Sequence, residues 1–331
     1  MVARAKKLNI YLRFDIGKFN GLGHAIRSLE LAKTLKKKIN VILCTSHESK
    51  NKLKIKGFDL FLKRKNENEE SYILRIAKNK NDKILFIDNL YNYKSSTIRA
   101  ASLKFKKIFF YQNFSNGIQE ENIVINPTPN LNTSINIKKK IKSTHIFSGD
   151  EYLIIPKSKK YRKKNYLGIS FGGSDPKLIS LKVLKYLKKM NWKNKTYLFI
   201  GLMFEFKKDL KKIKVPKNIE ICDFKKENFL KSSLAICSPG ITAFELLNND
   251  IFSLYISHSK KHYNLGKYID KKYAFSKNLN IFNKLNFDEF KKHLNYHWIN
   301  KANPNSLNKK KINLINNSCK KLLKLILNET K

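Results

Sequence analysis

The chain has 331 residues, 42% of them hydrophobic, which supports two cores of ordinary domain size and excludes a disordered or fibrous chain. Lysine and arginine number 69 against 25 acidic residues, a net charge of +44, yet no RRM, KH or zinc-finger pattern accompanies it, so specific nucleic-acid recognition is not expected. No apolar stretch reaches the ~18 residues that a membrane-spanning helix requires.

The first elements form the pattern on which the rest depends. Ile10 to Phe14 reads as a strand, and a turn carrying Gly17, Gly21 and Gly23 follows. His24 then opens a run in which Ile26, Leu29, Ala32 and Leu35 recur at helical spacing. Glycines let backbone amides approach a ligand closely, and the unpaired N–H groups of a helix start favour negative charge. A histidine there can exchange a proton near neutral pH. A plain turn with a solvated histidine fits the spacing equally well, because a lone GxG is a weak signal.

Alternation continues along the chain. Strands are expected at residues 40–46, 58–63, 83–89 and 107–113, with helical runs between them. The runs KILFIDN and KIFFYQN are apolar on both faces, as parallel strands covered by helices are. Shorter strands at 122–127 and 144–149 flank a turn-rich loop with Pro127 and Pro129. The basic, proline-led run 156–164 reads as a linker, giving domains at 1–155 and 156–331. Strands resume at 166–173, 195–202, 218–224, 233–240 and 252–257, and helices are expected from there to the end. The final segment carries Ile312, Ile315, Leu322, Leu325 and Ile326 among lysines, a pattern for packing on the body or, less favoured, lying on a membrane. This order predicts an α/β chain of two βαβ-type, Rossmann-like halves with parallel sheets, whose strand-end loops line one cleft if the sheets face each other.

The four cysteines are far apart and form no CxxC pair, which suits free thiols in a reducing, cytoplasmic compartment. The first residues lead straight into a strand without an apolar signal region. The excess lysines lie along the whole chain among asparagines and isoleucines, so they form no shaped patch. They still imply weak, salt-sensitive attraction to polyanions, including an anionic membrane surface. Oligomeric state is not legible from these features.

Two more strand-to-helix turns join the first. In SFGGSDP, Gly172 and Gly173 admit an anion, Ser174 or Asp175 can cap a helix, and Pro176 suits its first turn. In SPGITAFEL, Ser238, Gly240, Ile241 and Thr242 open another helix. Glu245 follows about one turn later, where a carboxylate can accept ribose hydroxyls or serve as a surface residue near a helix start. Three such turns split over two halves point to a phosphate-bearing ligand. A Walker A lysine and a GxSxG elbow are both absent from the sequence. His258 and His262 share a helix face without an obvious third ligand, so neither metal nor cofactor is expected.

Taken together, FDIGKFNGLGHAIRSLELA, ISFGGSDP and CSPGITAFELL resemble the UDP-sugar hydrolases of the pseudaminic acid pathway and related polysaccharide biosynthesis proteins. Those in turn resemble the peptidoglycan N-acetylglucosaminyltransferase, of GT-B fold. The resemblance covers about residues 8–275. It implies a GT-B-like chain that hydrolyses a UDP-linked deoxy amino sugar, with His24 as the base for water attack at the anomeric carbon. A helix start disfavours the protonated imidazole, which suits that role. It further implies that Asp15 orients the sugar or its neighbours, with Arg13 beside it, and that the turns at Gly173–Ser174 and Gly240–Ile241 hold the diphosphate. Glu245 would take the ribose and Phe224 would flank the uracil. The chain departs from the family at Asn89, Gln112, Asn113 and His262, all on the sugar or cleft side. Two other readings compete: a GT-B glycosyltransferase using a UDP-sugar donor and, more remotely, a non-enzymatic basic binding protein.

Overall fold

The computed structural model describes residues 8–17, 22–79, 83–128, 145–156, 159–206, 210, 215–300 and 318–329. The chain forms two compact units, Met1–Pro156 with Leu314–Lys331, and Lys157–Asn313.

The first unit is built in the order β1 (Asn9–Arg13), α1 (Gly23–Leu35), β2 (Asn40–Thr45), α2 (His47–Leu53), β3 (Asp59–Leu62), α3 (Glu69–Lys78), β4 (Lys83–Ile87), α4 (Ser95–Ser102), β5 (Lys107–Tyr111), β6 (Ile123–Asn126) and β7 (Ile146–Ser148). Its sheet is wholly parallel, in the order β3-β2-β1-β4-β5-β6-β7. Order reverses between β1 and β4, where Arg13 pairs with Ile87. All five residues of β4 are buried, as are Ile10, Tyr11 and Leu12 of β1, because helices cover both faces. One face packs Tyr11, Leu85, Ile87 and Phe110 against Tyr72, Ile73 and Ile76 of α3 and Ile98 of α4. On the other, Phe86 meets Phe109 and Tyr111 at ring separations of 6.2 and 5.6 Å.

The second unit runs β8 (Lys164–Ser170), α5 (Ile179–Lys189), β9 (Thr196–Ile200), β10 (Ile219–Asp223), α6 (Lys226–Phe229), β11 (Ser232–Cys237), α7 (Ile241–Asn248), β12 (Phe252–Ser257), α8 (Lys260–Tyr273), β13 (Ser276–Ile281) and α9 (Phe287–Asn300). Its parallel sheet has the order β10-β9-β8-β11-β12-β13 and reverses between β8 and β11. The last strand was not expected, since SKNLNI is mostly polar. It lies at the sheet's edge, where polar side chains block further pairing.

The C-terminal helix α10 (Ser318–Asn328) belongs to the first unit, not to the second domain expected to run to residue 331. Leu322 and Ile326, four residues apart, are fully buried where α10 meets α1 and the short turn Asp150–Tyr152. Two such side chains contribute roughly 3–6 kcal/mol by burial. Lys321 reaches Glu151 at 3.2 Å and lies over the Tyr152 ring. No helix among the described residues is long and apolar enough to cross a membrane.

Candidate functional site

In open parallel sheets, ligands bind at the carboxyl ends of the strands where the order reverses. In the first unit that point lies beyond β1 and β4. Asp88, the residue after β4, is fully buried and donates its amide to the Arg13 carbonyl at 2.8 Å. The first two turns of α1 carry His24, Arg27 and Ser28, at the i, i+3 and i+4 positions that share one helix face. All three meet the Asp88 carboxylate. His24 Nδ1 lies 2.7 Å from Oδ1, Arg27 donates Nε to Oδ2 at 2.6 Å and Nη2 to Oδ1, and Ser28 Oγ donates to Oδ2 at 3.1 Å. Burial alone would raise the Asp88 pKa, but the charges of Arg27 and His24 and their hydrogen bonds hold it below the usual carboxylate range.

An ionised carboxylate can only accept, so His24 carries its proton on Nδ1 and its basic lone pair on Nε2. Arg27 Nη2 also lies 2.8 Å from Nδ1, but with Nδ1 protonated that contact is packing rather than a hydrogen bond. Arg27 also donates to Gln112, and Gln112 donates on to Thr128 Oγ1 at 2.7 Å. His24 is only 9% exposed, so it is not a solvated surface histidine. Asp88 and Arg27 were missed as site residues. Their signal was an H-x-x-R-S pattern on one face of an apolar helix, with an aspartate ending a wholly apolar strand.

Several expected ligand groups are instead engaged by the protein. Arg13 is 2% exposed and grips Glu69 with Nε–Oε1 at 2.7 Å and Nη2–Oε2 at 2.6 Å. It also donates to the Phe14 carbonyl and to Asp15. Asp15 Oδ1 accepts from Thr45 Oγ1, Ser46 N and Ser49 Oγ at 2.9, 2.7 and 3.0 Å, tying the end of β1 to the start of α2. Burial opposes ionisation of Asp15, and Arg13 overcomes it, leaving its pKa lowered. Both Asp15 oxygens are thus engaged by neighbouring groups of the first unit. Asn89 bonds Tyr93 Oη at 2.8 Å and Glu69 at 3.2 Å inside the same network, and its amide oxygen accepts from Asn113. Gly23 opens α1, whereas Gly21 lies outside the described residues.

The second unit's reversal point lies between the turns after β8 and β11. Gly172 has φ +84°, which favours glycine, and open space where a Cβ would sit. A Cβ on Gly201, after β9, would meet the carbonyl oxygens of Gly172 and Gly173 at 2.4 Å, so the β8 turn rests on bare backbone. Asp175 accepts from Ile179 N and Ser180 N at 2.9 Å each, and from Ser180 Oγ. It therefore caps α5, which begins at Ile179, later than Pro176 suggested, and those amides are already satisfied. Ser174 is buried beside it.

The turn after β11 is different. Gly240 precedes α7 and no side chain caps that helix, so its first amides, those of Ile241 and Thr242, have no such acceptor. A Cβ at Gly240 would meet nothing within 4 Å. Ser238 Oγ donates to the Ile256 carbonyl at 3.0 Å, which fastens the turn to β12. Glu245, 7% exposed, pairs with Lys226 at 2.6 Å; burial raises its pKa and Lys226 offsets part of that rise. Phe224, just past β10, is half-buried and packs on Phe199 and Phe229. His262 packs against His258 with ring centroids 3.8 Å apart and the ring planes tilted by 41°. Among the described residues no three His, Cys, Asp or Glu side chains converge as a metal site would require.

Comparison with known proteins defines the class of fold. Over 98% of this chain, the structure is similar to Arabidopsis thaliana UGT89C1 complexed with UDP (TM-score 0.65, 9% identity, all of that chain). It is likewise similar to the calicheamicin glycosyltransferase CalG4 (TM-score 0.62, 10% identity) and to the glycosyltransferase VinC in complex with DTDP (TM-score 0.58, 9% identity), each over 98% of both chains. The fold is thus that of GT-B glycosyltransferases, with two parallel-sheet, Rossmann-like units.

In sequence, the chain is 29% identical over 257 residues to an uncharacterized protein of Methanocaldococcus jannaschii, a match covering 69% of this chain. It spans about half, 51%, of that curated relative's length. No family model matches the sequence.

Proposed function

We propose that this chain is a GT-B enzyme that uses a nucleotide sugar, with transfer of the sugar from a UDP-type donor to an acceptor hydroxyl as the favoured reaction. The observation that carries the reading is the His24–Asp88 pair at the reversal point of the first sheet. Asp88 fixes the tautomer and stabilises the imidazolium that forms when the ring takes a proton. His24 Nε2 removes the hydroxyl proton as the acceptor oxygen attacks the anomeric carbon. The bond from that carbon to the donor phosphate breaks, and the electron pair leaves with UDP. A single displacement of this kind inverts the anomeric centre.

In the second unit, the uncapped start of α7 and the glycine turn after β8 suit the diphosphate, whose charge grows as it departs. Phe224 offers a ring face to the base, and Glu245, held by Lys226, offers acceptor oxygens to the ribose. The UDP and DTDP in the structures of UGT89C1 and VinC favour a nucleotide-sugar donor.

Hydrolysis of a UDP-linked deoxy amino sugar, as in pseudaminic acid synthesis, is the second reading. It is favoured by the motif segment around His24 and uses the same base with water as acceptor. UDP release from a panel of UDP-sugars, measured with and without glycan or lipid-linked acceptors, tests both. Release only with acceptor supports transfer, release in water alone supports hydrolysis, and undiminished turnover by His24→Gln overturns the role of His24.

A further inference from the structure

The Asp88 carboxylate faces two basic groups at once. Arg27 Nη2 and His24 Nδ1 meet the same oxygen, Oδ1, while Arg27 Nε donates to Oδ2 at 2.6 Å. Nη2 and Nδ1 lie 2.8 Å apart, so guanidinium and imidazole are in contact. The mechanism above uses His24 and Asp88 and gives Arg27 no part.

Arg27 is clamped between elements. Its guanidinium lies over the Tyr111 ring, 4.9 Å from the centroid, and donates Nη1 to Gln112 just past β5. Tyr111 is itself anchored, since its hydroxyl donates to the Tyr152 carbonyl at 3.0 Å and accepts from the Ile154 amide at 3.1 Å. At 6% exposure Arg27 is nearly shut off from water. Burial opposes its charge, but Asp88 outweighs burial and leaves the Arg27 pKa raised. It is therefore a permanent cation, fixed against the ring. The other titratable groups of the cluster are Asp88 after β4, the Tyr111 phenol of β5 and the Cys319 thiol of α10, which acts on Tyr111. Burial raises the Tyr111 pKa, so that phenol is neutral.

Once His24 accepts a proton, one carboxylate stands between two cations. It can compensate one of them, and Arg27 already acts on it more strongly than His24 does. The imidazolium then forms against a like charge in a site that holds little water, which favours giving the proton back. With a neutral side chain at position 27, compensation of the buried carboxylate would fall to the imidazole, which supplies it by keeping a proton.

We propose that Arg27 is a positioning residue of the transfer reaction: acting through Asp88, its charge loosens the hold of His24 on a proton, so that the ring takes one from the acceptor hydroxyl and yields it to solvent before the next turnover. This rests on the reading of His24 as the base.

NMR of the full chain tests this, with histidine Cε1–H resonances followed against pH and His24 assigned by loss of its signal in His24→Gln. We expect the His24 midpoint in Arg27→Met to lie about one to two pH units above that of the wild type. Arg27→Lys keeps the charge and should stay within about half a unit of the wild type, whereas Gln112→Glu gives Arg27 a second carboxylate and should raise the midpoint by about half a unit. Contacts of the ring common to all variants drop out of these differences. UDP release from the UDP-sugar panel by Arg27→Met should fall about tenfold or more at pH 6 and recover as pH passes the raised midpoint. Loss of a merely structural contact would lower release equally at every pH. A midpoint unmoved or lowered in Arg27→Met, or displaced as far in Arg27→Lys, overturns the proposal and leaves His24 standing as the base. Should Arg27→Met not fold, an unmoved midpoint in Gln112→Glu overturns it instead. Undiminished release by His24→Gln overturns the base and, with it, the part of Arg27.

Discussion

Replacing Asp88 with asparagine removes the one anion on which His24, Arg27 and Ser28 converge. The Arg27 guanidinium, 6% exposed, would keep only neutral acceptors, the amide oxygens of Gln112 and of the new asparagine, in place of its counter-charge. Breaking one side of a buried ion pair costs about 3–5 kcal/mol, because the other charge stays behind without compensation. At roughly 2–4 °C per kcal/mol for a unit of this size, the first unit should melt about 6–20 °C lower.

The loss has a defined pH course. The Asp88 pKa is depressed in the folded state, so its stabilisation is complete above the unfolded carboxylate value and disappears as pH falls through the lower folded value. The gap between wild type and Asp88→Asn should therefore be constant from pH 8 to about 5 and close in strong acid. Differential scanning calorimetry across that range measures it, and UDP release should fall by about 10²–10⁴ in parallel. A melting point within 2–3 °C of wild type at pH 7, or a gap that persists undiminished in strong acid, refutes the argument.

Other perturbations separate structure from chemistry. Arg13→Met should destabilise the first unit by about 3–5 kcal/mol, since Glu69 and Asp15 lose their buried cation; urea melts check this, and UDP affinity should not change. Gly201→Ala drives a methyl group into the Gly172 and Gly173 carbonyls, so we expect a loss of about 1–3 kcal/mol and weaker UDP binding by calorimetry. Asp175→Ala removes the cap of α5 at about 1–2 kcal/mol, measurable by thermal melts. Burial raises the Cys222 pKa to about 11 and pushes those of Cys44 and Cys237 higher still, so these three thiols should react slowly with iodoacetamide at pH 8 until the protein is denatured.

The architecture was legible because the central strands are short apolar runs with both faces covered, separated by helix-length amphipathic runs. β13 escaped because an edge strand need not be apolar. Within the candidate site, the placing of His24 at the start of α1 was legible, whereas the bonding of Asp15 and Arg13, charged residues at a strand end, to each other and to their neighbours was not. A sequence shows that two charges exist and not that they neutralise one another. Asp88 needed the sheet order, since β1 and β4 become neighbours only once the chain has passed through β2 and β3. The contact between the His258 and His262 rings depends on the bend from β12 into α8, which spacing alone leaves open.

The return of α10 to the first unit bears on how the polypeptide is made. As the nascent chain leaves the ribosome, β1 to β7 emerge early, but Leu322 and Ile326 appear only after the whole second unit has been translated. Until then the apolar side of α1 that receives α10 remains bare, a site for chaperone capture or for self-association among unfinished chains. Synthesis of α10 is therefore the moment at which the first unit can close.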